Sequence, residues 1–134
     1  MFCATLATVR KQYHFWPGEG GMDAWDVDRL LELASQLPVE EVRLEDIHEI
    51  DSVYWFDGSK HPTVRNITEH FRLIQDVDPS YPIILGPDSR VMDGMHRIAK
   101  ALLEDKVTIR AVRLRELPDP DYRGCRPEEL PYDR

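Results

Sequence analysis

The stretch that most constrains this chain is Tyr81-Pro82-Ile83-Ile84-Leu85-Gly86-Pro87-Asp88-Ser89-Arg90-Val91-Met92, followed directly by Asp93-Gly94-Met95-His96-Arg97-Ile98-Ala99. An apolar run over 81–85, bounded by prolines and a Gly-Pro-Asp turn, suits a short buried strand, and residues 90–92 return beside it as a hairpin. A helix then opens at or just after Gly94, with Ile98, Ala101 and Leu102 at helical spacing, and residues 107–114 alternate as a final strand. That order, strand, strand, helix, strand, requires a sheet with a helix lying against it.

Upstream segments extend the same architecture. Residues 3–16, rich in Thr, Val, Tyr, Phe and Trp, predict an extended segment or edge strand that Pro17-Gly18-Glu19-Gly20-Gly21 breaks. Asp23 or Asp26 can cap a helix carrying Trp25, Leu30, Leu31, Ala34 and Leu37, and Pro38 ends it. Residues 41–44 alternate like a short strand. Residues 53–56 are aromatic and β-branched and lead into a polar loop over 57–62. A second helix over 63–77 follows, its apolar side formed by Val64, Ile67, Phe71, Ile74 and Val77. The fold class expected is therefore α/β in the α+β sense, a small mixed sheet with helices packed on it. The chain has 134 residues, 42% of them hydrophobic, which suffices for one core. A single domain is expected over 1–114, its core at 39–114. Residues 115–134, with Pro118, Pro120, Pro127 and Pro131, are expected to form a proline-rich acidic tail, an extended wrap or partly disordered arm.

Seventeen basic against 25 acidic residues leave a formal charge of -8, which repels polyanions at long range. Non-specific DNA binding and nuclease activity are disfavoured on that ground, as no basic stripe offsets the charge. No run reaches transmembrane length, so no membrane partner is expected. The segment 1–16 lacks a signal-peptide pattern, and Cys3 and Cys125 read as reduced thiols near opposite ends, which makes the cytoplasm the expected location.

Chemistry concentrates at residues 93–97. A glycine turn feeding a helix gathers backbone N–H groups that have no intrahelical partner and lie at the positive end of the helix dipole. Gly94 permits close backbone approach, and His96 and Arg97 add donors, Arg97 with a planar fork suited to phosphate oxygens. Taken singly, Asp93 is a cap and His96 and Arg97 are solvated first-turn residues. Together, two basic residues oppose the dipole unless an anion compensates. A phosphate site over Gly94, Met95, His96 and Arg97 is the expectation.

The residues from 63 to 114, with "YPIIL", "RVMDGMHRIAKALL" and "IRAVRL", resemble the ParB and sulfiredoxin superfamily domain. The resemblance implies that a hairpin and a Gly-x-x-Arg turn, here Gly94 to Arg97, hold nucleotide phosphates. It further implies a sorting among branches. Sulfiredoxins need a cysteine where this chain has Met95, which excludes that activity. Chromosome-partition clamps carry a helix-turn-helix after the domain, and residues 115–134 do not resemble one. The branch of small kinases that phosphorylate free serine carries Asp-Gly-His-His-Arg, close to Asp93-Gly94-Met95-His96-Arg97, although its first histidine is missing here.

By that resemblance Asp93 and His96 are candidate catalytic residues, and Asp93 is the candidate Mg²⁺ ligand. The kinases' catalytic Glu in the loop before the 63–77 helix is absent; Asp57 is the carboxylate that could stand in, although Asp-Gly-Ser is also ordinary turn composition. Lys60 and His61 are candidate substrate contacts. The cofactors implied are Mg²⁺ and a nucleotide, ATP, ADP or CTP. The partners are that nucleotide and a small-molecule substrate, and a homo-oligomer is compatible with the sequence. The function expected is a small Mg²⁺-dependent phosphotransferase or nucleotide hydrolase; the alternative is a non-catalytic nucleotide-sensing or protein-interaction module. Trp55 reads as core before base-stacking platform. His48, His61 and His70 lie on separate elements without metal-ligand spacing, and Glu45, Asp46, Glu49 and Asp51 read as a solvated acidic patch.

Overall fold

The computed structural model describes residues 11–56 and 61–133. β1 (Tyr13–Gly18) and β2 (Gly21–Asp26) form an antiparallel hairpin in which Tyr13 faces Asp26 and Gly18 faces Gly21. Pro17 and Gly18, expected to break the strand, are its last residues; β1 is an edge strand, where a missing N–H is tolerated. Asp26 ends β2 and caps α1 (Val27–Ala34), its carboxylate accepting from the Asp28 N–H at 2.9 Å. Trp25 therefore sits on β2 and not on the helix, buried, with its indole N–H donating to the Pro118 carbonyl at 2.8 Å.

β3 (Val39–Arg43) is followed by two 3₁₀ turns, Leu44–Asp46 and His48–Asp51. The Thr63 hydroxyl caps α2 (Val64–Asp76) by accepting from the Asn66 N–H at 3.1 Å. β4 (Ile83–Leu85), β5 (Val91–Asp93), α3 (Met95–Leu103) and β6 (Thr108–Arg113) follow in the order the sequence indicates. The class is α+β. Two sheets carry it where one was expected: β3-β6-β4-β5 is mixed, with β4 parallel to β6, and β1-β2-β7 is antiparallel.

The central sheet is covered on both sides, which is why β4 is apolar throughout and does not alternate. Ile83, Leu85, Val91 and Ala111 pack on one face with Met95, Ile98 and Ala101 of α3 and with Leu44 and Ile47. Ile84, Met92, Val112 and Leu114 pack on the other with Trp25, Leu30 and Ala34. Successive residues of one strand thus serve two cores.

Two expectations are corrected. Residues 115–134 are not an arm without elements: β7 (Tyr122–Cys125) pairs with β2, the Asp121 N–H donates to the Ala24 carbonyl at 2.8 Å, and Leu130 is buried. The prolines flank this strand without interrupting it, so they leave four residues free to pair. On α2, Val64, Ile67 and Phe71 are exposed, whereas Asn66, His70 and Ile74, with the C-cap Val77, are covered. The helix leans on Asn66, His70 and Ile74, so of the expected apolar side only Ile74 and Val77 are covered.

Candidate functional site

The turn between β5 and α3 is built by one glycine. Gly94 caps α3 with φ of 114°, in the left-handed region, and a Cβ there would lie 2.6 Å from Ile83 Cγ2. Glycine is therefore required for packing against β4 as well as for the turn. The first helical bond runs from the Ile98 N–H to the Gly94 carbonyl at 3.0 Å, so the N–H groups of residues 95–97 precede the intrahelical ladder.

The five residues singled out at this turn divide sharply. Met95 turns its side chain into the core, which leaves only its backbone for an anion. Arg97, expected to present its fork to phosphate, has its guanidinium engaged elsewhere. Nη1 donates to the carbonyls of Tyr81, at 3.1 Å, and Pro82, at 2.8 Å, and Nη2 pairs with Asp93 Oδ2. The Arg97 and Asp93 side chains are only 10% and 16% exposed. Their ion pair and the two carbonyl bonds tie β5, α3 and the approach to β4 together. Asp93, the candidate Mg²⁺ ligand and catalytic carboxylate, is thus occupied by an arginine, and no group of three metal-ligating side chains gathers among the described residues. The described residues do not fit a Mg²⁺ site at this turn.

His96 lies in a different setting. Its Nε2 meets His70 Nδ1 of α2 at 2.9 Å, a hydrogen bond in which one imidazole donates and the other accepts. Trp55 stacks on both rings, with centroids 4.5 Å from His70 and 4.6 Å from His96, and Phe56 meets His70 edge-on. Burial, together with the neighbouring His70 and Arg97, pushes the His96 pKa down to about 4, so the ring is neutral at physiological pH. The expected cation is in fact a neutral imidazole that both offers and takes hydrogen bonds.

His61 is exposed, and Asp57 and Lys60 fall outside the described residues. Sequence reasoning named His70 and Trp55 but gave neither a place at this turn. His70 was legible in one respect, since it stands one turn before Ile74 on the covered edge of α2; Trp55 carried no signal beyond its size. Glu49, read as part of a solvated patch, instead reaches inward, Oε1 accepting from the Val91 N–H at 2.6 Å. Comparison of the chain with protein-family models, with curated proteins and with solved structures gives no match.

Proposed function

We propose that the chain binds the phosphates of a nucleotide at the first turn of α3. The observation that carries this reading is the His70–His96 pair, in which an imidazole of α2 meets one in that turn nitrogen to nitrogen at 2.9 Å, both covered by Trp55. Backbone N–H groups at a helix N-terminus favour anions, and an imidazole fixed by its neighbour presents its remaining ring nitrogen in one protonation state. The resemblance of Gly94, His96 and Arg97 to the ParB and sulfiredoxin turn supports the same ligand.

The reading takes two forms. A small Mg²⁺-dependent phosphotransferase or NTPase would need a carboxylate to orient the attacking oxygen. The Asp93–Arg97 pair favours the second form, a nucleotide-binding module without turnover, because it spends that carboxylate on an arginine.

The test is a thermal-shift panel of ATP, ADP, CTP, GTP and inorganic phosphate, each with and without Mg²⁺. A ligand at 100 times its Kd stabilises the folded state by about 2.7 kcal/mol, enough to read as a clear rise in Tm. One nucleotide is expected to raise Tm in the parent chain and not in His96→Phe, which keeps the ring on Trp55 and removes both nitrogens. No shift with any ligand at millimolar concentration would sink the reading. Release of phosphate or a phosphorylated product from the stabilising nucleotide would decide for the enzyme.

A further inference from the structure

Beside α3 lies a hollow of about 640 Å³, within the range of about 300 to 1,000 Å³ usual for small-molecule sites. Met95, Ile98 and Leu102 form one wall at helical spacing, and Val53, Phe56 and Pro62 form the other. An apolar body is what such walls accept.

The polar side chains of the hollow narrow the choice. Three of them bear oxygen, Glu49, Ser52 and Tyr54, and Trp55 adds an indole N–H. The Ser52 hydroxyl donates its proton to the Glu49 carbonyl at 2.8 Å, and the Tyr54 hydroxyl is directed to the Val91 carbonyl at 3.4 Å. Glu49 Oε1 takes the Val91 N–H, which leaves Oε2. With both hydroxyl protons directed to the backbone, what these three residues hold out to a ligand are acceptors, one of them a carboxylate oxygen. Burial holds the Glu49 carboxyl above its ordinary pKa, against the opposing pull of the Val91 N–H and Arg90 and with a further push from Asp88. A half-buried carboxylate in an apolar hollow is stabilised by a cation that brings its own N–H donors.

We propose that this groove binds a small apolar molecule carrying a protonated amine, the ammonium seated on Glu49 Oε2 and the apolar body between α3 and the side chains of Val53, Phe56 and Pro62. The hollow adjoins the phosphate turn, sharing Met95 and Trp55 with it, but the amine reading rests on Glu49 and does not require a bound phosphate. The overall charge of -8 acts in the same direction, drawing cations and repelling anions.

Octylamine, 1-octanol and octanoate, matched in chain length and used below their aggregation limits, test the proposal by calorimetry on the full chain at neutral pH. The amine is expected to bind about tenfold tighter than the alcohol, the usual advantage of a charge-assisted hydrogen bond over a neutral one, and octanoate weakest of the three. Glu49→Gln keeps an acceptor for the Val91 N–H and should bring amine and alcohol to equal affinity. Ala99→Trp, which fills the groove from α3, should abolish binding of all three. Equal affinity for the three ligands in the parent chain, no binding of any, or an amine preference that survives in Glu49→Gln would each overturn it. Should Glu49→Gln unfold, the ligand order in the parent chain and its loss in Ala99→Trp still decide.

Discussion

Two histidines in this protein are held far from their ordinary titration, by burial first in both cases. His14 is 8% exposed, lies between the rings of Trp16 and Trp25, and among the described residues its Nε2 has no hydrogen-bond partner. Its pKa falls to about 4, with Arg90 adding to the effect, and His96 falls to about 4 likewise. The unfolded chain takes up these protons near pH 6.5, whereas the folded chain resists until about pH 4. Lowering the pH across that window therefore favours the unfolded state, and the loss is complete below the folded value. For His14 the difference corresponds to about 3 kcal/mol. Urea unfolding at a series of pH values should show stability flat above pH 7 and falling from 6.5 toward 4, with the slope reduced in His14→Phe. A slope identical in that variant would remove His14 from the account.

At the scale of elements, the turn from β5 to α3 is where a chemical reading and a structural one compete for the same residues. Arg97 binds two carbonyls ahead of β4 and the Asp93 carboxylate at the end of β5, from inside α3. Removing one member of such a covered pair leaves the other charge uncompensated. Arg97→Ala is thus expected to cost about 3 kcal/mol in urea unfolding, whatever it does to ligand binding. Arg97→Lys should recover only part of that, as one ammonium cannot reproduce the planar fork. A loss below about 0.5 kcal/mol, the level of an ordinary surface substitution, would show that Arg97 is free for another task. The hairpin and helix around this pair were legible because Ile83, Ile84 and Leu85, the Gly-Pro-Asp turn and Gly94 each restrict the backbone locally. The partner of Arg97 was not legible, since i to i+4 spacing from Asp93 becomes meaningful only once β5 is known to end where α3 begins. The facing of His70 and His96 was hidden for a related reason: 26 positions separate them, and only the packing of α2 on α3 joins them.

For the whole molecule, the unexpected fact is that residues 13–26 and 122–125, far apart in sequence, build one layer. The first sheet takes β1 and β2 from one end and β7 from the other, and its order places β2 in the middle. The Lys11 N–H donates to the Tyr132 carbonyl at 2.9 Å, the Tyr13 hydroxyl donates to the Pro131 carbonyl, and Arg29 pairs with Asp121 at 3.0 Å. This layer holds Trp25 and α1 over Ile84, Met92 and Val112, and the tail reaches that second core through the Trp25–Pro118 bond and the pairing of β7 with β2. Without residues 116–134, β1 and β2 would remain as a two-stranded hairpin, which is marginal in water. Trp25 would lose the Pro118 carbonyl, and the layer over one face of the central sheet would be held less firmly. Burial of Leu130 alone is worth about 2 to 3 kcal/mol. A chain ending at Arg115 should accordingly unfold in one transition at lower urea concentration, weakened by at least about 3 kcal/mol, with tryptophan emission shifted to the red before denaturant is added. If residues 39–114 instead fold as a self-sufficient unit, the truncated chain will keep its transition midpoint, and hydrogen exchange will be accelerated in β1 and β2 alone. The bonds from Lys11, Tyr13 and Trp25 to Tyr132, Pro131 and Pro118 favour the first outcome, because they join residues 11–25 and 118–132 in one cooperative structure.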